Sequence, residues 1–541
     1  MSYPVVQKGK NGHYYLYEGT SVWDPVKKRS VQKRVYKGTC DEDGNLIQER
    51  ASNDGVSCSP VFGPYHLYAE MSRGKLADSL AEVYGADVGG RLLALAILGC
   101  VSPCSLNQAQ ESMNDTYLRE LLGVDWSFEQ SQCCRMLAEV GRDTVKMDVL
   151  FKALSPGKGC ALFDIVCLGT DSEMEYAEAG RKTRLTQMKQ VNLGMVHSQE
   201  DGLPFFFRTY PGSVADVSTL RNVVKDLKEL GCNLTELIMD RGFFSSGNIK
   251  MMLDEGMGFT IPVPSGRSVS KILLSRSVKD IESSLSTDVL GGGVVRGFEW
   301  AVTLDEKGTF ILCDPGSEGS IRAVVLQDDD RRHDEVNTLY SRLKEVEGKL
   351  SGKEWTDGWR RKYLVKADIR YASLIEVSEA DGVVSVKRKR NAIAARENAC
   401  GRFVLITTSE LGWVDLFDHY RRRNDIEYDF SELQSDLFHG LKGKQVQESA
   451  DGGLIVSFLS VRLRGELMKR LKNSGLSQKM WVPDVMNVLK KLKISKVGRV
   501  WRLNEVTKEQ RELLKSLEIP VPTTGQGPPQ ASSLVINVKH K

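Results

Sequence analysis

No apolar run in this 541-residue sequence approaches the roughly 20 residues that a membrane-spanning helix needs. The longest, Leu92 to Val101, is too short and is flanked by Arg91 and Pro103. The first residues, Met1-Ser2-Tyr3-Pro4, carry no apolar secretory segment, so a cytosolic protein is expected. The 11 cysteines are odd in number and scattered, which excludes a disulfide framework and predicts reduced thiols. Cys100, Cys104, Cys133 and Cys134 do not have the spacing of a zinc knuckle, and no histidine lies near them, so they are expected to be buried core thiols. A net charge of only +3 provides no global field for a polyanion.

What is present is an ordinary globular composition, 41% hydrophobic and 27% charged, in a chain long enough for several domains. The basic residues are clustered: Lys27-Lys28-Arg29, Lys33-Arg34, Lys387-Arg388-Lys389-Arg390, Arg421-Arg422-Arg423 and Lys490-Lys491-Leu492-Lys493. Each alone reads as a solvated face; together they fit a protein with a phosphate-facing side.

Residues 11–38 alternate and are rich in Tyr and Val, which predicts a β-hairpin with basic residues on one face. Residues 64–150 switch to helical periodicity, predicting a helical bundle, either plainly structural or DNA-end-binding. From residue 160, apolar strands are expected at Ala161–Leu168, Gln190–His197, Pro204–Tyr210, Glu236–Asp240 and Gly258–Val263. Helices are expected at Val217–Leu230 and Ser246–Glu255. Three neighbouring strands, then helix, strand, helix, strand, is the order of an α/β ribonuclease H-like mixed sheet. The expected organisation is a mainly helical N-terminal DNA-end-binding region (1–150), the first part of the core (151–264), a β-rich insertion (265–400), the last part of the core (401–475) and a C-terminal region and tail (476–541). An amphipathic helix is expected at 450–472.

Three carboxylates occupy unusual settings. Asp164 lies inside the run Ala161-Leu162-Phe163-Asp164-Ile165-Val166, and Asp240 ends Leu237-Ile238-Met239-Asp240. A carboxylate in such a run is costly to bury unless paired or metal-bound. Glu427 falls on a helix expected at 415–437, where Ile426, Phe430, Leu433 and Leu437 form an apolar stripe and Tyr420, Arg423, Glu427 and Gln434 form a second one. In the proposed fold Asp164 and Asp240 reach the same end of the sheet. Hard oxygen ligands favour Mg2+ or Mn2+, and two such ions suit phosphodiester chemistry.

With these residues in place the chain resembles an insertion-sequence DDE transposase, from the group with a Tyr-x2-Arg-x3-Glu-x6-Lys signature. Tyr420, Arg423 and Glu427 match that signature. Phe163-Asp164, Asp240-Arg241-Gly242-Phe243-Phe244-Ser245 and the segment Pro211 to Leu220 resemble the group's other motifs. The resemblance implies Asp164, Asp240 and Glu427 as catalytic metal ligands for two Mg2+ or Mn2+ ions. It implies DNA nicking and strand transfer at terminal inverted repeats, with target DNA as a further partner, a homodimer on paired ends and a nucleoid-associated location. Tyr420, Arg423, Gln434, Lys387, Arg388 and Arg390 are the expected DNA contacts. Trp300, in the insertion, is the candidate for holding a flipped base, although packing within its strand is the stronger reading. One departure stands out: Gln434 occupies the signature's lysine position and cannot neutralise a phosphate. That departure sustains an alternative, a weakened transposase remnant that only occupies transposon ends. A ribonuclease H-like nuclease that cuts without joining is a second alternative, disfavoured by the basic N-terminal region.

Overall fold

A computed structural model of the chain describes residues 2–9, 13–24, 28–49, 56–58, 60–123, 126–170, 174–180, 189–314, 316–317, 321–355, 369–423, 446–497 and 500–524. The chain divides into two units. The first comprises Met1–Glu70, Met113–Gly123 and Pro483–Val535; the second comprises Met71–Ser112, Val124–Val482 and Ile536–Lys541.

In the first unit the alternating N-terminal sequence forms an antiparallel sheet, β1 (Ser2–Lys8), β2 (Tyr14–Asp24), β3 (Arg29–Cys40) and β4 (Leu46–Glu49). The expected hairpin is β2–β3, paired from Tyr14↔Cys40 to Asp24↔Arg29. Its basic residues do not gather on one face. Arg29 and Arg34 are an odd number of positions apart with no bulge between them, so the period of two sends them to opposite faces. A separate three-stranded sheet joins β5 (Val56–Cys58) to Ile494–Val497 and Val500–Leu503. The Thr507–Gln510 capping box starts the helix Lys508–Ser516.

The second unit is built on one large sheet. Its apolar runs become β6 (Lys158–Thr170), the two-residue β7 (Glu178–Ala179), β8 (Lys189–Ser198), β9 (Pro204–Pro211), β10 (Asn233–Met239) and β11 (Gly258–Val263). β8 is buried almost throughout, as a strand covered on both faces must be. The order β9-β8-β6-β10-β11, with β8 antiparallel to its neighbours and β6, β10 and β11 parallel, is the ribonuclease H-like arrangement. Helix Asp216–Glu229 connects β9 to β10, and helix Ser246–Asp254 connects β10 to β11. Parallel neighbours require such crossovers.

The insertion takes two forms. Strands β12 (Thr287–Leu290), β13 (Gly293–Leu304), β14 (Phe310–Cys313) and β15 (Ile321–Asp328) extend the core sheet itself. β15 pairs with the strand Arg402–Thr407, which pairs antiparallel with β11, so the sheet reaches 11 strands. The remainder is a satellite. Helix Asp329–Leu350 buries Leu339, Leu343, Val346 and Leu350 against a two-stranded sheet, Ile375–Ala380 with Val383–Arg388, and helix Arg390–Asn398.

Helix Gln447–Asn473 covers the expected amphipathic helix at 450–472; it is buried on nearly every side from Ser449 to Leu463 and keeps the amphipathic pattern beyond, where only Leu467 and Leu471 are buried. Glycines explain the difference. A Cβ on Gly452 would fall 2.0 Å from the Leu137 carbonyl oxygen, and one on Gly141 would fall 2.0 Å from that of Glu448. The first half of the helix therefore crosses Gln130–Arg142 backbone to backbone, which covers its polar face there. Among the described residues no helix is long and apolar enough to cross a membrane.

Candidate active site

Parallel pairing brings the two aspartates together. Met239 of β10 sits beside Phe163 of β6, so the residue that follows each, Asp240 and Asp164, comes to the same level of adjacent strands. The Asp164 carboxylate accepts the Ile165 N–H at 2.8 Å. Asp240 leaves its strand into a turn, Arg241–Phe243, closed by Phe243 N–H donating to the Asp240 carbonyl at 3.1 Å. The Phe243 ring packs 4.8 Å from that of Phe163, which anchors the turn on the core.

Two asparagines hold the surroundings. The Asn248 amide donates to the Phe243 carbonyl at 2.8 Å and to the Val217 carbonyl at 2.9 Å, joining the Asp240 turn to the start of helix Asp216–Glu229. The Ser245 hydroxyl caps that asparagine's own helix by accepting the Asn248 N–H at 3.0 Å. The Asn192 amide donates to the carbonyls of Pro211 and Val214, at 3.4 and 3.0 Å, fixing the Pro211–Leu220 segment. Gly212 lies against the Gln190 carbonyl, which a Cβ would approach to 2.2 Å. Sequence reasoning did not single out Asn192 or Asn248. The signal for Asn192 was available: it is an amide in the apolar run Val191-Asn192-Leu193, buried at 4% exposure.

The third participant arrives from the far end of the insertion. Helix Trp413–Arg421 lies on the antiparallel part of the sheet, with Leu416 and Phe417 buried against Val295, Val324, Leu326 and Leu405. Its first residue, Trp413, rests on Gly297, where a Cβ would lie 2.3 Å from the indole ring. Tyr420 packs against Phe403, ring centroids 6.0 Å apart. Burial pushes the Tyr420 phenol above its usual range, against the opposing pull of the Arg423 and Arg331 charges. Just beyond the helix, Arg423 Nη1 lies 3.3 Å from Asp164 Oδ2 and 3.4 Å from Asp240 Oδ1. Its side chain is 11% exposed, against 18% for Asp164 and 35% for Asp240. One guanidinium nitrogen thus serves two carboxylates in a largely shielded place, which removes most of the cost of facing two like charges there.

The pair presents hard carboxylate oxygens that already converge on a cation, the donor chemistry that Mg2+ or Mn2+ takes. Glu427 and Gln434 lie outside the described residues, as does the stripe from Ile426 to Leu437. Among the described residues no three metal-ligating side chains of His, Cys, Asp or Glu form a group. Cys100 is a buried thiol donating to the Ser460 carbonyl at 3.4 Å, and burial raises Cys133 to about 11.

Of the remaining sequence candidates, Trp300 and Arg388 are held by partners within the protein. The Trp300 indole N–H donates to Ser277 Oγ at 2.7 Å, and its ring meets Phe298 edge-on at 5.5 Å. Arg388 makes two bonds to Glu347, at 2.6 and 2.9 Å, and stacks over Tyr340. Lys387 and Arg390 are exposed on the satellite.

A ribonuclease H-like sheet with paired aspartates on adjacent parallel strands defines the class. Residues 164–444, more than half of the chain, match the family described as Transposase DDE domain. The chain belongs to that family, and the matched span begins at Asp164 and runs past Asp240, Arg423 and Glu427. A solved structure described as a cryo-EM structure of piggyBac transposase synaptic complex with hairpin DNA is similar over 86% of this chain and 87% of that chain. Its sequence identity is 9% and its TM-score 0.35, a likeness too slight to bear on mechanism. No curated protein sequence matches.

Proposed function

We propose that the chain is a metal-dependent DNA transposase that cleaves the ends of an insertion sequence and joins the freed 3′-hydroxyl to target DNA. The observation that carries this reading is the convergence of Asp164 and Asp240, from neighbouring strands, on the single nitrogen of Arg423. Asp164 and Asp240, with Glu427 as the third carboxylate, would hold two Mg2+ or Mn2+ ions. Such ions activate the attacking oxygen and stabilise the leaving oxygen of a phosphodiester.

The chain's own residues supply the setting. Asp164 is fixed by its strand and Asp240 by the Asn248-bound turn, so both carboxylates are held before substrate arrives. Arg423 balances their charge when no metal is bound and would turn to a DNA phosphate when one is. Tyr420 orients it, its ring centroid 5.8 Å from the guanidinium carbon. The partner is double-stranded DNA, terminal repeats and target, and the working form is a homodimer on paired ends.

The test is Mg2+-dependent cleavage of DNA taken from the flanks of the gene. Asp164→Asn, Asp240→Asn and Glu427→Gln each abolish it on this reading. Wild-type cleavage by all three variants overturns the site. Binding of the ends by the wild type without any cleavage favours the remnant reading that Gln434 sustains.

A further inference from the structure

Next to the carboxylate pair lies a second basic feature. Arg241 directly follows Asp240, and it lines a cleft of about 370 Å3 together with Arg331, Arg396 and Arg402. The lining carries two carboxylates, Asp334 and Glu335, against these four arginines. Two of the arginines are committed within the protein. Arg331 Nε donates to Glu335 Oε1 at 2.8 Å. Arg402 Nε donates to Gln327 Oε1 at 2.6 Å, and its Nη2 reaches Glu282 at 3.2 Å. Arg241 and Arg396 make no ion pair among the described residues, and both are exposed.

Exposed guanidinia gathered around one cavity repel each other unless an anion joins them. The planar fork of arginine matches a phosphate in two-point fashion. Packed side chains also link the cleft to the carboxylate pair. The Arg331 guanidinium carbon lies 5.2 Å from the Phe403 ring centroid, Phe403 meets Tyr420, and Tyr420 underlies Arg423. One row of packed side chains, Arg331, Phe403, Tyr420 and Arg423, thus runs from the cleft to the carboxylates, and Arg241 adjoins Asp240 in the chain.

We propose that this cleft binds a backbone phosphate of the DNA strand that lies at Asp164 and Asp240, with Arg241 and Arg396 as the contacts. The proposal rests on the reading above that DNA is the substrate. It assigns the phosphate contact to residues outside the clusters that stand out in the sequence.

The test measures binding of a random-sequence DNA duplex to the full chain across a salt series. Each of Arg241→Gln and Arg396→Gln is expected to make the dependence of log affinity on log salt shallower by about 1, with affinity lowered equally on every sequence. Arg396→Lys keeps the wild-type slope, because the charge is retained. Arg342→Gln, on the helix that also carries Arg331 and paired with Glu345 at 2.7 Å, leaves the slope unchanged. A wild-type slope in the Arg241→Gln, Arg396→Gln double variant, with a wild-type melting curve, overturns the proposal. Salt-independent binding, or no binding, by the wild type overturns it as well. Where the double variant does not fold, Arg396→Gln alone decides by the same slope. A chain that shows the slope change but never cuts DNA keeps the cleft and loses the proposed function. One that cuts with an unchanged slope in the double variant loses only the cleft.

Discussion

In the parallel half of the large sheet, β6 and β10 run side by side and bring one carboxylate each to the same level. In the antiparallel half, β13, β15 and Arg402–Thr407 form a floor on which helix Trp413–Arg421 lies, and that helix delivers Arg423. The first half places the anions through adjacent strand register, and the second places the cation through packing. The two are joined by the pairing of β11 with Arg402–Thr407, so what sequence order separates as an insertion is, in space, the other half of the same platform.

The largest expected effect lies in the parallel half. Asp164→Asn or Asp240→Asn should lower Mg2+-dependent DNA cleavage roughly a thousandfold or more, about 4 kcal/mol of transition-state stabilisation. Single-turnover assays on an end-containing duplex would show it, and near-wild-type rates would dissolve the distinction between the halves. The next effect belongs to the link between them. Arg423→Gln leaves two carboxylates facing each other without their shared cation. It should destabilise the metal-free protein by about 1–3 kcal/mol in urea unfolding, discounted for the partial exposure of Asp240. Added Mn2+ should recover most of that loss.

Within the antiparallel half, Gly297→Val places a Cβ 2.3 Å from the Trp413 ring, so the indole must shift. Overpacking of this kind costs about 1–3 kcal/mol, and it should lower cleavage by displacing the helix while leaving Mn2+ affinity close to wild type. If Mn2+ affinity falls as well, the halves are coupled and do not act separately. The smallest effect returns to the parallel half. Asn248→Ala removes two bonds that brace the Asp240 turn, for about 1 kcal/mol of stability, with a selective loss of cleavage over DNA binding.

Much of the parallel half could be read from the residues. β6, β8 and β11 are largely apolar because both faces are covered, and an aspartate inside such a run is conspicuous. The turn chemistry after Asp240 was less visible, since Asn248 acts on carbonyls of residues 217 and 243 that no local pattern marks. The antiparallel half resisted reading for a different reason. Its strands looked like a separate β-rich insertion because their partners are remote in sequence: Arg322 pairs with Thr407. The Arg423–Asp164 contact spans 259 residues. Sequence reasoning assigned Arg423 to a DNA phosphate, and the carboxylate partners could be seen only after folding. The basic tetrad Lys387–Arg390 was conspicuous for its composition, yet Arg388 is spent on Glu347, while the scattered Arg241 and Arg396 face a cleft.

The most direct measurement of the central claim is Mn2+ binding to the full chain, followed by electron paramagnetic resonance. The account predicts that the wild type binds Mn2+ and that the Asp164→Asn, Asp240→Asn double variant, folded by circular dichroism, does not. Undiminished Mn2+ binding by the double variant would contradict it.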